Sequence, residues 1–176
     1  SKETFLLEVS RIPGVYVPSF YAHSYNDDGT LAAINPIGDA PATVTKRVVE
    51  NLDDAYFPTK MIVASTEIVH DRANLEVFRG CIRGCRFCQA GMIYRPIRER
   101  SIEHLMQLAD NLVSSTGYDE ISLMSLSSGD YSCLPEILTY LIDSFKEDHV
   151  NISLPSLRID NFSLDVMSKV QDIRKS

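Results

Sequence analysis

The sequence contains no apolar run near the ~20 residues that a membrane-spanning helix needs, which argues against an integral membrane protein. Glycine and proline number only 8 each among 176 residues, and this excludes collagen-like and low-complexity classes. The 4 cysteines are too few for a disulfide scaffold in a chain of this length. The N-terminal residues do not resemble a signal or transit peptide. We therefore expect a soluble protein in the cytoplasm, without a membrane partner.

The remaining composition is that of an ordinary globular protein, with 44% hydrophobic and 23% charged residues. A length of 176 residues suits one domain and is short for two. The chain begins at Ser1 without a methionine and stops at Ser176 directly after a helical pattern. We therefore expect it to be a piece of a longer protein.

Charge is distributed unevenly along the chain. The 17 basic and 24 acidic residues give a net charge of −7, which argues weakly against a general nucleic-acid-binding surface. Between Arg79 and Arg100, however, lie six arginines and a single acid, Glu99, a local charge of +5. A solvated loop would explain scattered arginines. Because the same stretch holds three of the four cysteines, the sequence favours an anion-handling site.

The first 74 residues read as an irregular, β-rich lead-in segment. Residues 15–25 are rich in β-branched and aromatic types, and the turn signal at residues 26–29 precedes a second short run at 30–34, which predicts a β-hairpin. Residues 44–52 could form a strand or a short helix, and residues 61–64 a short buried strand or an extended segment.

From residue 75 onward, short apolar strands alternate with amphipathic helical patterns. Strands are predicted at residues 75–78, 120–124 and 150–154, and Gly117 supplies the end of the first helix. Each helix would begin after a serine cap; the three caps are Ser101, Ser132 and Ser163. Three βα units predict an α/β fold with a parallel sheet over residues 75–176. Its open edge could take a next strand, or pair with a second copy in a dimer.

Three cysteines lie close together between the first strand and the first helix. Cys81, Cys85 and Cys88 have the spacing C-x3-C-x2-C, and Gly84 gives the loop freedom to wrap around an inorganic centre. Iron–sulfur cubanes commonly have four thiolate ligands, so three would leave one iron open to a substrate or cofactor. The arginines around the loop would stabilise a reduced, anionic cluster and raise its reduction potential.

Other metal sites stay open as alternatives at this point. A structural zinc site would need a histidine in addition to the cysteines, and His70 and His104 are the candidates. A closed iron–sulfur site for electron transfer would need a fourth ligand such as His70 or Cys133. Either would make the protein a non-catalytic module. Cys133 itself, at the start of a helix, is better explained as a small core residue.

The cysteine motif resembles that of the radical SAM superfamily, because an aromatic residue, Phe87, stands before the last cysteine and the loop lies between a strand and a helix of a βα series. The strings FRGCIRGCRFCQAGMIYRPIRERS, IPGVYVPSFY, AYFPTK and SLPSLRID resemble a subfamily whose longer members carry a cobalamin-binding-type domain ahead of the core. The resemblance implies that residues 75–176 are the first three βα units of a partial TIM-type barrel. It also implies that a longer protein containing this chain could use cobalamin as a further cofactor.

The resemblance also implies a chemistry. Cys81, Cys85 and Cys88 would ligate three irons of a 4Fe-4S cluster, and S-adenosylmethionine would chelate the fourth. An electron from a donor such as flavodoxin or ferredoxin would cleave the cofactor to a 5′-deoxyadenosyl radical, which abstracts a hydrogen from the substrate. Phe87 would pack near the adenine.

A second cofactor contact is expected after the second strand. Members of the superfamily commonly have a Gly-Gly-Glu-like segment there that binds the amino group of the cofactor, and this chain has Ser128, Gly129 and Asp130 after Ser127. That departs from the motif but keeps a small turn and a carboxylate; a plain β-to-α loop would explain the same residues. Arg158, after the third strand, could reach the cofactor or lie on the surface, and the sequence does not assign it.

The substrate is not encoded in any recognisable pattern. The arginine-rich stretch after the cysteines is similar to methylthiotransferases that act on RNA or ribosomal protein, whereas cobalamin-linked relatives suggest methyl transfer or ring rearrangement. The overall acidity of the chain argues mildly against RNA.

Overall fold

The computed structural model describes residues 1–66 and 68–161, which fall into two compact units. The first is Ser1–Val49 and the second begins at Glu50. The boundary between the two units in the sequence therefore lies before residue 74, the predicted end of the lead-in. The predicted division into residues 1–74 and 75–176 stays a prediction. No helix in the described part of the chain is long and apolar enough to cross a membrane.

The first unit begins with a helix that the sequence does not predict. Helix α1 (Lys2–Ser10) starts after Ser1, whose hydroxyl accepts a hydrogen bond from the Thr4 amide at 3.2 Å. This is ordinary N-capping by serine. Its apolar residues do not gather on one face: Phe5 is exposed, and Ser10 is its buried residue. The periodicity by which a helix is recognised is therefore absent.

The predicted β-hairpin is confirmed. Strands β1 (Tyr21–Tyr25) and β2 (Leu31–Pro36) are antiparallel. The turn between them is stabilised by Asp28, whose carboxylate accepts a hydrogen bond from the Thr30 amide at 2.9 Å, and Gly29 adopts φ +81°. The residues just before β1 do not extend the strand, because Pro18 opens a short 3-10 turn there.

Two predictions for the lead-in need correction. Residues 44–52 form neither a strand nor a helix, so that prediction is wrong; residues 61–64 form no strand and residues 62–64 are exposed, so the first of its two alternatives, a buried strand, is wrong. Their β-branched residues have no neighbouring strand to pair with among the described residues, and β-propensity without a partner does not make a strand. Leu52, at the beginning of the second unit, is nevertheless fully buried.

The second unit contains the remaining regular elements. They are β3 (Ala73–Glu76), β4 (Phe78–Arg79), α2 (Ala90–Ile93), β5 (Arg98–Glu99), α3 (Ile102–Thr116), β6 (Glu120–Met124), α4 (Leu134–Phe145) and β7 (Asn151–Ser153).

A parallel three-stranded sheet lies at the centre of this unit, in the order β3-β6-β7. The α/β class and the parallel sheet are therefore confirmed. The predicted strand at 75–78 divides at Val77: its amide donates to the Met124 carbonyl, continuing the parallel pairing, and the next residue, Phe78, pairs antiparallel with Glu99. The chain thus leaves the sheet through the small β4–β5 ribbon.

The helix ends follow local capping chemistry. Ser101 caps α3 by accepting from the His104 amide at 3.3 Å, and Gly117 ends it at φ +69°, as predicted. The predicted cap of the second helix, Ser132, is wrong: α4 begins one residue later, after Cys133, because the Ser132 hydroxyl is hydrogen-bonded to Glu99. The predicted third helix after Ser163 lies outside the described residues.

The core is formed where α3 and α4 pack on the sheet. It consists of strand and helix residues with almost no exposed surface: Leu75, Ile121, Leu123, Leu105, Leu112, Ile137, Leu138 and Leu141. Each such side chain contributes about 1.5–3 kcal/mol by leaving water. The packed layer holds the carboxyl ends of the strands in place, and the loops that follow them carry the candidate site.

Candidate metal centre

The cysteine loop, residues 81–88, lies beyond the carboxyl end of β3, between β4 and α2. Its base is closed by the β4–β5 ribbon and by the Cys81 amide, which donates to the Tyr94 carbonyl at 3.1 Å. Loops at the carboxyl ends of parallel strands are the usual location of binding sites in α/β folds.

Two glycines allow the close packing of this loop. A Cβ on Gly80, which adopts φ +101°, would lie 2.4 Å from the Pro96 carbonyl oxygen. A Cβ on Gly91, in α2, would lie 2.8 Å from the amide nitrogen of Gly84, in the middle of the loop. Both distances are impossible for real atoms, so both positions require glycine.

All three cysteines of the loop are free thiols. Cys81 is buried, Cys85 and Cys88 are half-buried, and the Cys88 amide donates to the Cys85 carbonyl at 2.9 Å in a tight turn. Within residues 1–66 and 68–161, no three His, Cys, Asp or Glu side chains converge closely enough to hold a single metal ion. A cubane makes a different demand, since each thiolate ligates its own iron. The three-thiol donor set fits such a cluster.

The zinc alternative finds no support in the described residues. His70 is hydrogen-bonded to Arg72, ahead of β3, and His104 lies in the first turn of α3. Cys133 packs at the edge of the core, as its interpretation as a core residue predicts. None of the three joins the loop cysteines in a metal-holding group within the part of the chain that is described.

The predicted second contact segment lies directly beside the cysteine loop. After β6, Ser128–Asp130 form a 3-10 turn in which Ser128 is buried and donates to the Leu123 carbonyl at 3.2 Å. Asp130 accepts hydrogen bonds from both Nε, at 2.7 Å, and Nη2 of Arg83, which lies between the first two cysteines. The Ser127 hydroxyl donates to the same carboxylate at 2.7 Å. The hydrogen bond from Arg83 holds the pKa of Asp130 below its ordinary value.

A third segment reaches the loop after β7. Nη1 of Arg158 is 3.8 Å from the Cys85 sulfur, and Nε of Arg158 donates to Asp160 at 2.9 Å. The hydrogen bond with Asp160 raises the pKa of Arg158, and the nearby Cys85 and Asp130 act in the same direction. Residues that follow all three parallel strands therefore meet at one place.

The comparison with known families agrees with this arrangement. The family model for the Radical SAM superfamily matches residues 75–175 of the chain. The chain belongs to the radical SAM superfamily. The matched range contains the cysteine loop, the parallel sheet and the segments that follow β6 and β7.

One curated relative is an uncharacterized protein, MJ0966, from Methanocaldococcus jannaschii. It is 32% identical to this chain over 149 residues, which is 80% of this chain and 33% of the relative. The chain thus spans about a third of the length of the relative it matches.

Several arginines around the radical SAM motif have partners within the protein. Arg79 forms a two-bond ion pair with Glu76, and Arg83 pairs with Asp130. Arg100 is only 2% exposed; its Nη1 donates to the Leu52 carbonyl at 2.5 Å, and its guanidinium lies 5.5 Å from the centre of the Phe57 ring. The basic stretch is therefore in part a set of structural contacts, which the sequence interpretation as an anion-handling site did not anticipate.

Phe87 is 93% exposed, so its ring offers an open face, and its predicted contact with the adenine stays a prediction. Arg158, which the sequence leaves unassigned between a cofactor contact and a surface charge, lies beside the Cys85 sulfur. Its position just beyond the carboxyl end of a third parallel strand is the signal that could have found it, because such positions share one edge of the sheet.

Proposed function

We propose that the protein containing this chain is a radical SAM enzyme, in which Cys81, Cys85 and Cys88 bind a 4Fe-4S cluster and S-adenosylmethionine occupies the open iron. The observation that carries the proposal is the superfamily match over residues 75–175, within which the C-x3-C-x2-C loop follows the first strand of a parallel sheet. Three free thiols on a loop closed by glycine packing are the donor set that such a cluster needs.

Cys81, Cys85 and Cys88 would hold the cluster, which would supply the one-electron reduction of S-adenosylmethionine, with a flavodoxin- or ferredoxin-class donor as the source of the electron. The residues of the chain would bind the cluster and orient the cofactor. The cysteines lose their protons on ligation, since only the thiolate binds iron. Asp130, kept ionised by Arg83, would accept a hydrogen bond from the amino group of the cofactor, alongside Ser128 and Gly129 in the same turn.

We also propose that the three parallel strands are the first half of a partial TIM-type barrel. In the strand order β3-β6-β7, both β3 and β7 are edge strands among the described residues, and a further strand of the barrel would pair with β7, the last of the three in the sequence. For the reaction we propose methyl transfer or methylthiolation, with cobalamin held elsewhere in a longer protein. The resemblance of the arginine-rich stretch to methylthiotransferases supports methylthiolation, and the resemblance to cobalamin-associated members of the superfamily supports methyl transfer.

The proposal is tested by anaerobic reconstitution of the full-length protein with iron and sulfide. We expect sulfide-labile iron and, with S-adenosylmethionine and a reductant, release of 5′-deoxyadenosine. Cys85→Ala should lose both. Cys133→Ala is the matched control, because Cys133 packs at the core rather than in the loop, and it should retain both.

Two results would contradict the proposal. One is a Cys85→Ala protein that keeps its cluster and its cofactor cleavage. The other is tightly bound zinc without sulfide-labile iron, which would make the protein a non-catalytic metal module.

A further inference from the structure

The contact between Arg158 and Cys85 joins two segments 73 residues apart in the chain. Nη1 of Arg158 lies 3.8 Å from the Cys85 sulfur, a suitable separation for an N–H donor and a large, polarisable acceptor. A thiolate strengthens such a contact, because a charged acceptor makes a stronger hydrogen bond than a neutral one. Arg158 therefore contacts a predicted cluster ligand directly.

The charges around this contact do not cancel at the sulfur. Asp160 is paired with Arg158, but its side chain is 61% exposed whereas that of Arg158 is 29% exposed. Arg83 and Asp130, which also influence Arg158, are paired with each other. Solvent screens the exposed carboxylate more than the half-buried guanidinium, so Arg158 acts on Cys85 as a net positive charge.

We propose that Arg158 is a positioning residue that raises the reduction potential of a cluster bound through Cys85. The inference rests on the proposed function. On reduction, a donor of the ferredoxin or flavodoxin class loses one electron and the cluster gains it, so the negative charge on the cluster and its thiolates grows by one. A cation beside one of those thiolates stabilises the reduced state more than the oxidised state.

The test is a redox titration of the anaerobically reconstituted full-length protein, followed by the electron paramagnetic resonance signal of the reduced cluster. Arg158→Gln keeps a polar side chain but removes the charge, and we expect its midpoint potential to shift to a more negative value. Arg158→Lys keeps the charge and should stay close to the wild-type midpoint. A residue that only supported the fold would change cluster content without this dependence on charge.

Arg72→Gln is the matched control. Arg72 also carries a half-buried guanidinium paired with a carboxylate, that of Glu120 at 2.8 Å, but it precedes β3 and so lies at the opposite end of the sheet from the loop. The length of the strand alone, about 13 Å for four residues, exceeds a Debye length of about 8 Å. The midpoint potential of Arg72→Gln should equal that of the wild type.

The outcomes separate this inference from the proposed function. A wild-type protein without sulfide-labile iron would refute the proposed function itself. If the wild type holds a cluster and Arg158→Gln holds it at the same midpoint potential, the inference alone is overturned. If the Arg158→Gln protein does not bind a cluster, the Arg158→Lys protein is the deciding variant. A cluster in Arg158→Lys with the wild-type midpoint potential supports the role of the charge. Loss of the cluster from Arg158→Lys as well overturns the inference.

Discussion

The ion pair between Arg83 and Asp130 joins the cysteine loop to the segment that follows β6. Asp130 accepts hydrogen bonds from two guanidinium nitrogens and from the Ser127 hydroxyl, and its side chain is only 7% exposed. Such a carboxylate stays ionised and can only accept hydrogen bonds. It is therefore suited to accept a hydrogen bond from an amino group, and its partner Arg83, which lies between two cysteines, joins this carboxylate to the loop.

Asp130→Asn should destabilise the protein by about 1 kcal/mol at pH 7, a modest value because the arginine of the pair is open to solvent. The lowered pKa means that the stabilisation is present above the unfolded-state pKa of about 3.9 and is lost as the pH falls through the lower folded-state pKa. Urea unfolding at a series of pH values should thus show wild type and variant converging below about pH 4.

Asp160→Asn is the control for this measurement, since its carboxylate is exposed and its loss should change stability less. An Asp130→Asn protein as stable as wild type at pH 7, or a difference that grows on acidification, would contradict the assignment. In the reconstituted protein, the same variant should bind S-adenosylmethionine more weakly while keeping its iron.

At the scale of elements, the cysteine loop is held by close contacts between backbones as well as by its side-chain contacts. Gly91, in α2, approaches Gly84 so closely that an added Cβ would lie 2.8 Å from a backbone nitrogen. Backbone atoms cannot rotate away as a side-chain end can. The short helix α2 therefore packs directly on the backbone in the middle of the cysteine loop.

Gly91→Ala should reduce the iron content of the reconstituted protein and lower its stability by about 1–3 kcal/mol, as overpacking does. Iron and sulfide analysis and thermal unfolding measure the two effects. Gly38→Ala is the matched control: Gly38 has φ +61° but no atom within 4 Å of its added Cβ, and it belongs to the first unit. It should cost backbone strain while leaving iron content unchanged. Full iron loading of Gly91→Ala would show that the loop is not held by this contact.

The sequence predicts elements well where a local signal and the tertiary contacts agree. Ser101 and Gly117 bound α3 as predicted, because both act within one turn of the chain. Ser132 was predicted to cap α4, yet its hydroxyl bonds to Glu99, a residue 33 positions away. Helix α1 was missed because its apolar residues lack helical periodicity. Local rules fail where a distant partner competes for the same group.

For the whole molecule, the candidate site could be predicted only in part. The cysteine spacing and the Ser128–Asp130 segment are contiguous in sequence, so a motif identifies them. The contacts of Asp130 with Arg83 and of Cys85 with Arg158 span 47 and 73 residues, and only the order and register of the parallel strands bring these residues together. Because the three strands are parallel, their carboxyl ends lie at the same end of the sheet, and the candidate site is formed there by segments that are distant in the sequence.

Arg100 also makes contacts over a long distance in the sequence, and these contacts stabilise the fold outside the candidate site. It is buried beside Phe57, donates to the Leu52 carbonyl 48 residues away, and its Nη2 lies 3.7 Å from Glu76. Its Nε has no hydrogen-bond partner among the described residues, so burial of this cation is costly, and desolvation lowers its pKa. Through Leu52 and Glu76, Arg100 joins the irregular segment that begins at residue 50 to strand β3.

Arg100→Leu should therefore destabilise the second unit by about 2 kcal/mol, since the Leu52 carbonyl loses a charged donor and keeps the Ala55 amide, while Glu76 keeps its pair with Arg79. Hydrogen exchange should rise first at residues 50–57 and only later in the sheet, because the Leu52 carbonyl loses one of its two donors. Arg98→Leu is the matched control, as Arg98 lies two residues away and its Nε donates to the nearby Pro96 carbonyl. Equal exchange in the two variants would show that residues 50–57 are held by apolar packing alone, with the guanidinium contributing nothing.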